Sequence, residues 1–383
     1  MNTDCLNGKE IPEPRENSLF SGHGHAEFIL KSAYDRDCLA HSWLITGPKG
    51  IGKATLAYRF ARYILSNERR DDSNNSFPEF FKENTLQDDQ LSVLGEGPLY
   101  ISPAESVFKR IASGGHADFM SVERSINEKN GKLRTEIVVD DVRSIGSFFN
   151  LTAGEGGWRI VIIDCADEMN LNAANAVLKV LEEPPARSLL LLISHNPGQL
   201  LGTIRSRCRN LSLQPLKRES VISIVKDWQF DIDEVSIETL VTIADGSPGR
   251  ALAFAGNGGI DIFHDFMSLI EMLPKLDVES LHIFSGRYGK PGSEVAFRTI
   301  SELIRWWLAR MIIVKGKGNS SYVILTEHEK NFFNKFGDVV SLDRWFELWE
   351  KINHLIDKTE QINLDRKQVV FNIFLALESS VQS

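Results

Sequence analysis

Gly47-Pro48-Lys49-Gly50-Ile51-Gly52-Lys53 leaves this chain little freedom of fold. The segment follows an apolar run, Ser42–Thr46, and opens a stretch, Lys53–Leu65, that carries Leu56, Phe60 and Ile64 on one helical face. Strand, glycine turn and helix in that order are the start of a parallel α/β sheet. Gly47, Gly50 and Gly52 let the backbone curl until successive N–H groups face one point, and the helix N-terminus adds its dipole there. Lys53 would then reach the β- and γ-phosphates of a nucleotide. The plainer alternative is a glycine turn that binds nothing; the flanking strand and helix favour the phosphate loop.

The residue after the lysine breaks the pattern. A phosphate loop carries Ser or Thr there, because the hydroxyl ligates Mg²⁺. Here it is Ala54, with Thr55 one place later, and one residue is about a 100° rotation on a helix. Phosphate cradling survives this change, whereas metal positioning is weakened. A second apolar run, Arg159–Asp164, ends in an acid about a hundred positions further on, where a Walker B carboxylate belongs. Hydrolysis also needs a base or water-positioning group, usually Glu directly after that Asp. Cys165 occupies the place and reads as a packed thiol, since nothing in the sequence offers it a base. Asp167 and Glu168 are out of register.

Other candidate strands are Met120–Glu123, Leu189–Ser194 and Asn210–Leu213, and Asn170–Glu183 is a further amphipathic helix. Ser66 to about Gly97 is polar, rich in Asp, Asn and Glu, and reads as a long surface insertion. After Pro215 the character turns helical, with stretches at Arg218–Trp228, Glu234–Ala244 and Gly249–Ala255 and a connection at Gly256-Asn257-Gly258-Gly259. Phe297, Ile300, Ile304, Trp307 and Met311 recur at steps of three and four, as do Trp345, Leu348, Ile352 and Leu355. A last helix near Asn363 presents Val370, Ile373, Phe374 and Leu377. Tryptophans at such spacing are packing residues before they are base-stacking platforms. The net charge of −9 does not advertise nucleic-acid binding. Cys5, Cys38, Cys165 and Cys208 form no C-x-x-C pair, which argues against disulfides and zinc. With an acidic start and no long apolar run, the chain is expected in the cytoplasm, away from membranes.

An ordered set of short motifs adds a resemblance. Glu155-Gly156-Gly157-Trp158-Arg159, Asp164-Cys165-Ala166-Asp167 and Asn175-Ala176-Val177-Leu178-Lys179 are followed by Leu181-Glu182-Glu183-Pro184-Pro185 and Ser206-Arg207-Cys208. Together they resemble the delta-prime family of bacterial DNA polymerase III clamp-loader subunits, within the AAA+ superfamily. The match runs from about Ser18 to Leu216 and is mainly architectural beyond. It implies an AAA+ domain over 18–215 (the insertion within it), a helical lid over 216–260 and a helical collar over 261–383, preceded by an arm over 1–17.

The same resemblance implies that Arg207 projects toward ATP held by a neighbouring subunit, and that Ser194 stands in a sensor position. The arginine of Gly246-Ser247-Pro248-Gly249-Arg250 lies one place beyond the second sensor of active relatives. A plain surface salt bridge is the alternative for Arg207. Arg205, Arg207 and Arg209 would share a face if the segment were extended, and could then line an interface. Implied partners are the tau/gamma and delta subunits, with the sliding clamp and primer–template DNA reached through the complex. The cofactor implied is ATP or ADP with Mg²⁺ at a degenerate site. Relatives that carry a four-cysteine zinc module have it where this chain has its cysteine-free insertion, so no zinc is expected. Ala54 and Cys165 suggest a stationary subunit that hydrolyses poorly. The competing expectations are an active motor ATPase using Thr55 and a displaced carboxylate, and a phosphate-loop kinase.

Overall fold

The computed structural model describes residues 5–6, 9–10, 12–67, 97–127, 131, 133–155, 157–228, 232–290, 292–317, 327–337, 339–362 and 364–382. It divides into two compact units. One comprises Pro12–Ile224 with Gly246–Gly249; the other takes Val225–Asp245 and Arg250–Ser383. Two-residue strands β1 (Cys5–Leu6) and β2 (Lys9–Glu10) pair antiparallel and group with the second unit.

The first unit is built on strands β3 (Ser42–Thr46), β4 (Phe119–Val122), β5 (Arg159–Ile163), β6 (Ser188–Ser194) and β7 (Arg209–Ser212). They form one parallel sheet in the order β4-β5-β6-β3-β7. Buried runs such as all seven residues of β6 are what a parallel sheet covered on both faces requires. Alternate residues feed two cores. Trp43, Ile45, Ile160, Ile162, Leu191 and Ile193 pack with α1 (Gly24–Asp35) and α2 (Lys53–Asn67), together with Val107 and Ile111 of α3 (Ser106–Ala112). Leu44, Val161, Ile163, Leu190 and Leu192 pack with α4 (Val139–Asn150), α5 (Leu171–Glu182) and the short α6 (Gly202–Arg205). Because β5, β6 and β3 are neighbours, their C-terminal ends and following loops share one edge, where ligands bind in open α/β sheets.

Helix α2 also carries two arginines into the interior. Arg59 and Arg62 are each 1% exposed. The Arg59 Nε donates to Glu27 Oε1 at 2.8 Å, and its Nη1 donates to the Ser18 carbonyl. Arg62 donates to the carbonyls of Asn17 at 3.0 Å and Pro14 at 3.2 Å while lying over the Phe108 ring. Burial, with Arg59 as a like-charged neighbour, lowers the Arg62 pKa to about 10. Residues 14–18 are thus latched to the helix that opens the phosphate loop. Residues 68–96 of the polar insertion lie outside the described residues.

Helix α7 (Arg218–Asp227) leads out of the sheet unit. The second unit is helical: α8 (Glu234–Ala244), α9 (Pro248–Gly256), α10 (Gly259–Glu271), α11 (Val278–Tyr288), α12 (Glu294–Lys317), α13 (Glu327–Phe336), α14 (Leu342–Ile362) and α15 (Arg366–Gln382). Its core is aromatic. Trp307 meets Phe266 edge-on at 5.7 Å, Phe332 at 5.0 Å and Trp345 at 6.1 Å, and Phe266 also meets Phe374. These tryptophans are buried packing residues; Trp349 is the partly exposed one of α14. An α/β sheet followed by helices is the architecture the sequence led one to expect. Among the described residues no helix is long and apolar enough to cross a membrane.

Candidate functional site

The phosphate loop springs from the C-terminal end of β3. Gly47 (φ 143°), Gly50 (φ 76°) and Gly52 (φ 104°) all adopt backbone that side chains disfavour. A Cβ at 47 would stand 2.6 Å from the Leu213 carbonyl oxygen, and one at 52 would meet the Phe20 ring at 2.9 Å. Every carbonyl from Gly47 to Ile51 accepts a hydrogen bond. Lys53 Nζ donates to Gly47 at 2.6 Å and to Pro48 at 2.7 Å. Ser247 Oγ donates to Lys49 at 2.8 Å, and the Gly249 N–H to Gly50 at 2.9 Å. The buried His23 Nε2 completes the series at Ile51, 3.0 Å away. A loop with its carbonyls so engaged keeps its N–H groups as the polarity left for a ligand.

Lys53 is 3% exposed and forms no ion pair among the described residues. Burial lowers its pKa to about 8, against the pull of Cys165, Asp164 and Asp167. A lysine whose folded pKa lies below its unfolded one, 10.5, costs stability while it must be charged. The cost is full below about 8 and falls away as pH rises toward 10.5. The melting temperature of the wild type minus that of Lys53→Met is therefore expected to increase across this window. A difference that is flat with pH contradicts it.

Asp164 follows β5, its N–H donating to the Val122 carbonyl at 2.9 Å. Burial, then the charge of Glu123, raises its carboxyl pKa. Cys165, at φ 57°, turns the chain away into a short 3₁₀ turn. Here the structure supplies what the sequence reading lacked. His195, directly after β6, brings Nε2 to 3.3 Å from the Cys165 Sγ. The pair is no nucleophile with its base. Burial raises the thiol pKa well beyond its ordinary value and lowers that of the imidazole to about 4, Lys53 adding to the second effect, so both are neutral near pH 7. Asp167 is a positioning acid, accepting the N–H groups of His195 and Asn196 at 3.1 Å each.

Ser194 is fully buried at the end of β6, beside Thr46 in the sheet register. Its Oγ, like the Nδ1 of His195, has no hydrogen-bond partner among the described residues. Thr55 is buried within α2. Chemistry at Cys38, Cys165 and Cys208 should follow exposure. Alkylation near pH 7 is expected at exposed Cys38 before Cys165 or Cys208, the last held by burial at a pKa of about 11. Mass spectrometry showing the reverse order would refute the assignment.

Arg207 lies elsewhere. Its carbonyl accepts from Ser42 Oγ at 2.9 Å, and Ser42 begins β3 whereas the phosphate loop follows the end of that strand. At about 3.3 Å per residue the two are roughly 13 Å apart along the strand. The guanidinium, about one-third exposed, pairs with Glu182 at 2.9 Å and donates to the Thr203 carbonyl at 3.0 Å. Arg205, Arg207 and Arg209 do not line one extended face. Residues 202–205 are helical, Arg207 lies in the following turn, and Arg209 stacks on the Trp43 ring at 4.7 Å. Arg250, in the helical unit, donates to the Glu302 carbonyl.

Comparison with known proteins adds the family. A model described as DNA polymerase III, delta subunit, matches residues 103–217. DNA polymerase III subunit delta' of Pseudomonas aeruginosa is 32% identical over 219 residues, covering 57% of this chain and 57% of that protein. Its Bacillus subtilis counterpart is 29% identical over 195 residues, 50% of this chain and 48% of that one. Subunit tau of Bacillus subtilis is 25% identical over 236 residues, 61% and 36%. The chain spans about half the length of the delta' relatives named. With the motif series, the phosphate loop and the parallel sheet in place, this chain is similar over about half its length to the delta-prime subunits of DNA polymerase III.

Proposed function

We propose that this chain serves as a stationary subunit of a DNA polymerase III clamp loader, donating Arg207 to ATP bound by a neighbouring subunit. The observation that carries this is the position of the arginine. Arg207 is anchored at the N-terminal end of β3 while the chain's own phosphate loop leaves the other end, so its guanidinium is out of reach of a nucleotide bound in cis. Its partner Glu182 is half exposed, so the pair is weakly held and the cation can exchange one anion for another. A cation delivered across a subunit boundary stabilises charge on a transferring phosphoryl group without needing its own metal or base.

The chain's own site supports a hydrolytically poor role. A neutral thiol–imidazole pair stands where an acid would position water, and Ala54 removes a metal-ligating hydroxyl. An active motor is the alternative, favoured by the retained glycine loop and Lys53. Under the first reading, 18–215 is a nucleotide-binding-like domain, 216–260 a lid and 261–383 a collar. Tau/gamma and delta are its direct partners, the clamp and primer–template DNA are reached through the assembly, and the setting is cytoplasmic. Arg207→Ala in a reconstituted loader tests the reading. Turnover lost with assembly retained supports it; turnover unchanged defeats it.

A further inference from the structure

The loop is built for phosphate, yet the donor set does not fit the ion that normally accompanies a nucleotide. Phosphate-loop enzymes hold Mg²⁺ through the Ser or Thr after the lysine and the Walker B carboxylate. Position 54 has no oxygen, and Thr55 is turned about 100° along the helix and buried in it. Position 165, where a water-positioning acid would stand, holds instead a thiol 3.3 Å from His195. One carboxylate, Asp164, is left, and among the described residues no group of three acidic, His or Cys side chains could hold a metal.

The anion side is intact. Lys53 is a buried ammonium that donates to two neutral carbonyls and forms no ion pair among the described residues, an arrangement that an incoming anion would complete. At the adjoining end of β6, the fully buried Ser194 Oγ lacks a partner among the described residues. That orphan is a second sign of a missing ligand, independent of the loop itself. We infer that the loop binds a nucleoside polyphosphate without a divalent cation, with Lys53 and the loop N–H groups as its charge partners. The nucleotide is then a lasting structural ligand, because the set that would activate water on a metal-bound γ-phosphate is incomplete. This concerns the chain's own loop and is independent of whether Arg207 acts on a neighbour.

Calorimetric titration of the purified full chain with ADP and with ATP, in excess EDTA and then in excess Mg²⁺, tests it. The affinity in EDTA is expected to equal or exceed that in Mg²⁺. Ala54→Ser, which restores the hydroxyl, is expected to make binding about tenfold tighter in Mg²⁺ and unchanged in EDTA. Lys53→Met is expected to remove binding under both conditions, while Ala54→Ser keeps the test valid should that variant fold poorly. Inorganic tripolyphosphate separates phosphate recognition from nucleotide recognition; binding as tight as that of ATP would overturn the nucleoside part of the inference. Wild-type binding about tenfold weaker in EDTA, or no binding of either nucleotide, overturns the whole.

Discussion

Under the proposed role, Arg207→Ala is expected to lower DNA-stimulated ATP turnover in a loader reconstituted with tau and delta subunits by about a thousandfold, the lower end of what an arginine supplied in trans contributes. The loss should appear in kcat with the affinity for ATP little changed, since the guanidinium counts most when charge develops on the transferring phosphoryl group. Arg207→Lys should recover little, because an ammonium lacks the planar fork. Glu182→Ala separates donation from local structure. It removes the carboxylate that holds Arg207 at rest, a half-exposed pair worth about 0–1 kcal/mol, and should leave turnover within a few fold. If Arg207→Ala retains more than about a tenth of wild-type turnover, the proposed role fails.

The second large effect is on stability. Arg59→Met is expected to destabilise the sheet unit by about 3–5 kcal/mol, as measured by denaturant unfolding of the full chain. The guanidinium and Glu27 are both essentially buried, so removing one partner leaves the other charge without compensation. Burial already raises the Glu27 pKa, with Arg59 opposing, and losing Arg59 would raise it further. Two apolar or neutral partners are easier to bury than one charge. The double variant Arg59→Met, Glu27→Gln should therefore cost less than Arg59→Met alone, whereas simple additivity of the two losses would show that the pair is not coupled. Arg59 also holds the Ser18 carbonyl, two residues before the Phe20 ring that packs on Gly52, so its loss should disturb the glycine loop as well as the fold.

Much of the architecture could be read from the chain before any coordinates. The strand at Ser42–Thr46 lies where its apolar run lies, and β5 and β6 agree with theirs to within a residue. Buried parallel strands announce themselves because neither face can be polar. Helix α4 carries little signal in the sequence, its Ile145, Phe148 and Phe149 separated by Gly146 and Ser147, and its start is marked chiefly by Asp141, whose carboxylate accepts the Val138 N–H at 2.8 Å. What could not be read are contacts with main chain or across strands. The apolar face of α2 was evident from Leu56, Phe60 and Ile64, but Arg62 is buried because carbonyls of residues 14 and 17 receive it, and carbonyls are the same in every sequence. The approach of His195 to Cys165 likewise depends on β5 and β6 being neighbours, a matter of strand order that spacing does not encode. The alternating arginines misled because a residue-by-residue alternation reads as extended chain, while a single helical turn ending at Arg205 overrides it.

Two bonds from the 246–249 segment reach the loop, Ser247 to Lys49 and Gly249 to Gly50. A peptide two hundred positions downstream grips its backbone directly, and that peptide runs from the turn after α8 into the first residues of α9. Reshaping residues 49 and 50 would therefore act on the backbone of residues 247–249. A filled glycine cradle would in this way be felt at the first turn of α9 even if no bond of the bound anion is ever broken there.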